Sequence, residues 1–138
     1  MIELHKTTLS DGGVHLLLLG LVDGKPLRFV LDTGASHSVL DIQWARKNLD
    51  EDEINLVSDP AHGIGNPVEV HKAIVSSFEL GQLKINDHSI PLIDFNSINA
   101  VYANEGIDEV QGIVGGDILM ENKAVIDYEK MELRFSVS

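Results

Sequence analysis

The sequence predicts a mostly β, barrel-like domain with one or two short helices. Three observations carry that expectation. Short runs rich in Val, Ile, Leu and Phe recur along the chain, separated by Gly, Pro, Asn and Asp turn signals. One segment, residues 42–49, repeats apolar residues at helical spacing. No linker-like stretch or internal repeat divides the 138 residues, so 1–138 reads as one domain with a core of its own.

The elements follow in order. Residues 2–9 and 14–22 flank Ser10-Asp11-Gly12-Gly13, a hairpin signature. Asp23-Gly24 then turns the chain into a strand over 27–31. In the helix over 42–49, Ile42, Ala45 and Leu49 share one face, Trp44 packs toward the sheet, and Asp41 stands where it can cap the first turn. Asp50-Glu51-Asp52-Glu53 reads as a solvated helix end, because four adjacent acids lack the alternating ligands and central glycine of a calcium loop. A strand over 54–57, a loop over 61–67 and a long strand-like run over 68–80 come next. Gly81 turns the chain toward strands at 83–85 and 90–93. Residues 96–111 are less regular and have room for a short helix; a glycine-rich run over 112–119 precedes strands near 124–128 and 133–137.

Composition narrows the function. Ten basic against 22 acidic residues give a net charge of -12, which speaks against nucleic acid or an anionic membrane as partner. The absence of cysteine excludes a disulfide framework and thiolate zinc sites. His5, His15, His37, His62, His71 and His88 are scattered, with no metal-spaced pair on a helix, so a zinc protease is not expected. The apolar run 16–22 is far too short to span a bilayer. It lacks the basic flank and cleavage site of a leader and reads as a buried strand, and the expected location is cytoplasmic. Ser36, His37 and Ser38 are adjacent, so they cannot converge as a triad; they read as loop hydrogen-bonders. Gly63-x-Gly65 is too short for a phosphate loop.

The most informative stretch is Phe29-Val30-Leu31-Asp32-Thr33-Gly34-Ala35-Ser36-His37-Ser38, a strand that ends on one acid held in a tight turn. About eighty residues on stands Ile113-Val114-Gly115-Gly116-Asp117-Ile118-Leu119, and residues 124–135 end the chain as a closing hairpin. Together these resemble the retropepsin-like (retroviral-type, single-lobe) aspartic protease family, in its bacterial-type branch of the pepsin/retropepsin superfamily. The match runs loosely from Val14 to Phe135.

The resemblance implies a single-lobe acid-protease fold, a closed β-barrel. It implies an aspartic endopeptidase with Asp32, Thr33 and Gly34 as its catalytic loop. It also implies a homodimer, because the chain holds one such motif and the chemistry needs two carboxylates. Water activated between two Asp32 side chains, one per subunit, attacks the peptide bond without metal or organic cofactor. Val30, Ala35, Ser36, Val39 and Ile113, with Gly63, Ile64 and Gly65 of an expected flap over 62–70, would contact an extended peptide or protein substrate. For the apolar members plain core packing is the competing reading. Asp117 and Asp127 read as structural.

Residues 1–6 and 133–138 either supply interface strands or pair within one subunit. Two departures stand out: Ser36 replaces the usual retroviral acid and Gly116 the usual arginine. Ala35 stands where two-lobe pepsins carry a hydroxyl, which places the expected activity optimum at mildly acidic to near-neutral pH. The alternative is a non-proteolytic peptide-binding or dimerisation module that keeps the fold. The intact Asp-Thr-Gly argues against it, since such a module has no need of the acid.

Overall fold

The computed structural model describes residues 1–57 and 70–136. In chain order its elements are β1 (Ile2–Glu3), β2 (His5–Thr8), β3 (Val14–Val22), β4 (Lys25–Leu31), β5 (Val39–Asp41), α1 (Ile42–Asn48), β6 (Ile54–Val57), β7 (Val70–Leu80), β8 (Leu83–Ile93), α2 (Asn96–Asn104), β9 (Gly112–Val114), α3 (Gly116–Glu121), β10 (Val125–Asp127) and β11 (Glu132–Arg134); a 3-10 turn at Glu51–Glu53 precedes β6. The fold is mostly β, as expected, with three short helices where one or two were anticipated.

Six strands close a barrel in the order β3-β4-β9-β5-β8-β7, and β7 returns to pair with β3. Closure happens where Leu21 faces Glu79 and Val22 faces Phe78. Gly20 makes that approach feasible: a Cβ there would lie 2.7 Å from Leu80, 2.8 Å from Phe29 and 2.9 Å from the Glu79 carbonyl. The β3–β4 hairpin turns through Asp23 and Gly24, both at positive φ, the geometry that matches strand twist in two-residue hairpins. A separate three-stranded sheet has the order β1-β11-β10.

The first part of the apolar run in β3, Leu16 to Leu18, is buried on both faces, whereas Leu19 and Leu21 farther along are exposed, so the strand expected to be buried over 16–22 is only partly so. Leu16 and Leu18 join the main core with Phe29, Phe78 and Leu40, whereas Leu17 points into a second cluster with Phe95, Tyr102 and Val110 beneath α2. Asp41 caps α1 as expected, accepting the Gln43 N–H at 3.1 Å, and it also accepts the Phe95 N–H at 3.3 Å.

Three boundaries differ from expectation. The strand anticipated over 2–9 is broken, because the Leu4 N–H donates to the Met131 carbonyl and draws β1 into the other sheet. The two short strands expected after Gly81 are one strand, β8, held along its length by β7. β5 carried no strand expectation; it is made by its neighbours, parallel to β8 and antiparallel to β9.

Candidate active site

Asp32 is positioned by strand geometry. Leu31 ends β4 opposite Val114 of β9, and the Asp32 N–H carries the ladder one step further by donating to the Val114 carbonyl at 3.0 Å. The Asp32 carboxylate then accepts the Gly34 N–H at 2.9 Å, and its carbonyl accepts the Ala35 N–H at 3.1 Å. The result is a tight turn with one side-chain oxygen of Asp32 tied to the backbone. Asp32, Thr33 and Gly34 are all exposed, directly after a strand whose Phe29 is completely buried.

The loop is clamped from behind by the second glycine segment. The Gly116 N–H donates to the Ala35 carbonyl at 2.7 Å. A Cβ on Gly115 would lie 2.7 Å from the Ala35 carbonyl oxygen and 3.0 Å from His37 backbone atoms, so the chain passes through this gap only as glycine. Ser38, fully buried, donates its hydroxyl to Asp117 Oδ1 at 2.7 Å and accepts the Gly115 N–H at 2.8 Å. Its own N–H reaches the same carboxylate oxygen at 2.9 Å, and the Ile118 N–H does so at 2.8 Å. Partial burial pushes the Asp117 carboxyl up, but these donors and the nearby His37 outweigh it and hold the group below its ordinary range. Asp117 is thus a structural tie.

Val30, Ile113 and Val39 lie side by side on β4, β9 and β5, through the pairings Val30↔Ile113 and Val39↔Ile113. All three are half-buried and pack against the cluster under α2. Of the remaining expected substrate contacts, Ala35 is half-buried and Ser36 exposed on the loop. Gly63, Ile64 and Gly65 lie outside the described residues.

Beside Asp32 an open cleft of about 250 Å³ is lined by His15, Leu16, Val30, Leu31, Asp32, Thr33, Ile126 and Tyr128, among others, so Val30 belongs to it too. The His15 Nδ1 lies 2.6 Å from the Tyr102 hydroxyl, with the rings edge to face. Burial raises the Tyr102 phenol, the positive Arg28 lowers it, and the negative Asp32 raises it further. Two more ties fix α2: Glu105 accepts both the N–H and the hydroxyl of Ser10, and the Asn99 side chain exchanges two hydrogen bonds with Val110.

Residues 19–118 match the family described as aspartyl protease, which covers most of the chain and both glycine-bearing segments. The chain belongs to the aspartyl protease family. Two solved structures share its fold. The retroviral protease-like domain of Ddi1 from Leishmania major has a TM-score of 0.62 at 14% identity, covering 96% of this chain and 91% of that one. A retropepsin-like aspartic protease from Rickettsia conorii has a TM-score of 0.54 at 18% identity, covering 92% and 88%. No curated protein sequence matches the chain.

Within this aspartyl protease fold, sequence reasoning found the Asp32 loop and the passing glycines. It missed the partnership of Ser38 with Asp117 and the cleft shared by β10 and Asp32. The first had a signal, an acid directly after the two glycines; the second had none, since it depends on a contact between chain segments far apart. Among the described residues no group of three or more His, Cys, Asp or Glu side chains is placed to hold a metal. Among the same residues no helix is long and apolar enough to cross a membrane.

Proposed function

We propose that the protein is an aspartic endopeptidase that acts as a homodimer, residues 1–138 serving as one domain. One observation carries this reading: each chain presents a single Asp32 carboxylate at its surface, tied by the Gly34 N–H on a loop clamped through Gly115 and Gly116. A rigid, exposed acid with its turn locked from behind is half of a two-carboxylate site. A two-fold axis beside the loop brings the other half.

In that pair one Asp32 stays ionised and takes a proton from water while the other, protonated, donates to the substrate carbonyl oxygen. The water oxygen bonds to the carbonyl carbon. Collapse of the tetrahedral intermediate breaks the C–N bond as the nitrogen is protonated. Thr33 of each chain braces the pair. The peptide lies extended, its side chains on either side of the scissile bond meeting Val30, Val39 and Ile113, with Ala35, Ser36, Gly63, Ile64 and Gly65 as further contacts. No metal or organic cofactor enters.

The test is cleavage of a diverse peptide library across pH, by wild type and Asp32→Asn, at several protein concentrations. Cleavage absent in the variant and rising faster than linearly with protein is the expected result. No Asp32-dependent cleavage at concentrations where sedimentation shows dimer would overturn the proposal in favour of a binding module.

A further inference from the structure

We propose that His15 is a specificity-determining residue of the Asp32 site: its Nε2–H, set by Tyr102, selects an uncharged amide side chain, Gln or Asn, beside the scissile bond. The inference rests on the endopeptidase reading above and names the class of substrate that site takes.

The sheet puts the imidazole next to the acid. In the antiparallel β3–β4 ladder Leu16 faces Leu31. One step further the register sets His15 opposite Asp32, and residues opposite one another across such a ladder project to the same face. Both line the cleft of about 250 Å³, together with Thr33.

Tyr102 decides which ring nitrogen carries the hydrogen. His15 Nδ1 lies 2.6 Å from the Tyr102 hydroxyl. Tyr102, on the inner face of α2, is only 2% exposed, and burial pushes its phenol up, so it stays protonated. Among the described residues His15 is the one hydrogen-bond partner of that hydroxyl. A buried hydroxyl hydrogen left without an acceptor is costly, so the Tyr102 O–H donates to Nδ1. Were Nδ1–H the donor instead, the phenol hydrogen would have nowhere to go. A neutral imidazole that accepts at Nδ1 carries its hydrogen on Nε2. The half-buried ring therefore offers the cleft a donor whose direction is fixed by a second side chain.

The other walls narrow the ligand. Val14, Leu16, Leu31 and Ile126 give the cleft apolar sides that suit a methylene stem. His15 then calls for an acceptor at the end of that stem. A carboxylate would meet the donor, but it would also meet Asp32, and like charges at close range repel. The net charge of -12 adds to that penalty. An amide oxygen satisfies the donor without it. The cleft is smaller than the about 300–1,000 Å³ of a pocket for a whole small-molecule ligand, and so suits one side chain. An apolar residue of similar size leaves Nε2–H unpaired, which is how a polar site rejects an apolar analogue.

Matched peptides that carry Gln, Leu or Glu at the residues flanking the scissile bond test this. At one flanking position wild type should prefer Gln over both Leu and Glu by about tenfold or more in kcat/KM. His15→Phe should bring the Gln-to-Leu ratio to within about threefold of one, and His15→Gln, which keeps a donor, should restore part of it. Tyr102→Phe should lower the ratio and remove the fixed Nε2–H tautomer that nitrogen NMR of the wild-type imidazole shows. A wild type without the Gln preference, or His15→Phe with the ratio intact, overturns the proposal. So does a fall of equal size on every peptide, which would mean that His15 serves Asp32 rather than the substrate. The same peptides are also bound to Asp32→Asn protein and read by fluorescence anisotropy. A His15-dependent preference for Gln there, with no cleavage by wild type, keeps this inference and removes the protease reading. Asp32-dependent cleavage indifferent to Gln does the reverse, and binding of no peptide removes both.

Discussion

Replacing Ser38 by Ala should loosen the Asp32 loop without touching the acid. The hydroxyl has two jobs: it accepts the Gly115 N–H at 2.8 Å and donates to Asp117 Oδ1 at 2.7 Å. Gly115 is buried, so its N–H is left without an acceptor, a loss of about 1–3 kcal/mol. The bond to the carboxylate is charge-assisted, but Asp117 is exposed and keeps the Ser38 and Ile118 N–H donors, so that loss is discounted to about 1 kcal/mol. The sum, about 2–4 kcal/mol, is a large part of the about 5–15 kcal/mol that holds a domain of this kind together. The melting temperature should fall by roughly 6–20 °C for that loss in a chain of this length. Urea unfolding followed by the fluorescence of Trp44, the one tryptophan and half-buried against the core, measures it directly. The pH dependence has a definite sign. The folded Asp117 carboxyl is held low, so its contribution is complete above the ordinary carboxylate range of about 4 and fades as pH falls through the lower folded value. The gap between wild type and Ser38→Ala should therefore narrow in strong acid. A loss under about 0.5 kcal/mol at neutral pH, or a double-mutant cycle with Asp117→Ala that shows no coupling, would refute the tie.

Gly115→Ala forces a methyl against the Ala35 and His37 backbone, both in the Asp32 loop. It should cost about 1–3 kcal/mol by overpacking and lower kcat/KM by about 100-fold through displacement of Asp32; peptide cleavage and thermal melts read the two effects separately. Glu53→Gln should stabilise the protein at pH 7. Burial, then Asp23 and Asp50, raise the Glu53 carboxyl, and its buried Oε2 has no partner among the described residues. A raised acid destabilises above its folded value and not below its unfolded one, so the gain, about 0.5–1 kcal/mol, should vanish below about pH 4.5; a gain of equal size at pH 4 would contradict it. Association of two chains in the proposed homodimer, each carrying -12, should tighten between low and physiological salt, because screening removes long-range repulsion. Sedimentation across ionic strength checks this, and weakening with salt would point to ion pairs at the interface instead.

Local chemistry made much of this protein readable in advance. Asp23-Gly24 can form only a narrow set of turns, and Asp41 before an apolar helical face is a cap wherever it occurs, so both were visible in the sequence. The glycine signatures were visible through their resemblance to the two motifs of the aspartic protease family. What stayed hidden depends on neighbours. β5 has three residues and no pattern of its own; β8 and β9 make it a strand. The break after Glu3 arises from a hydrogen bond to Met131, on the far side of the sequence. Val30, Val39 and Ile113 were expected as cleft residues or as core. They are half-buried in one row, a position that serves both readings until a peptide is bound.

The arrangement of ties around Asp32 bears on how such a site works. Among the described residues every hydrogen bond to the loop comes from backbone or from a side chain beneath it: Gly34, Val114, Gly116 and, one step further, Ser38 with Asp117. Among the described residues none comes from the exposed side of Thr33 and Asp32. In the proposed homodimer, rigidity would thus come from one chain and the chemistry from two. A loop that needed its partner for its shape would lose the geometry of the acid whenever the dimer parted. A loop held from behind keeps Asp32 ready, so assembly need only supply the second carboxylate and exclude water. On that logic a weak dimer and a well-formed catalytic loop are compatible. Under the proposed function, concentration rather than refolding of the loop would then set the activity.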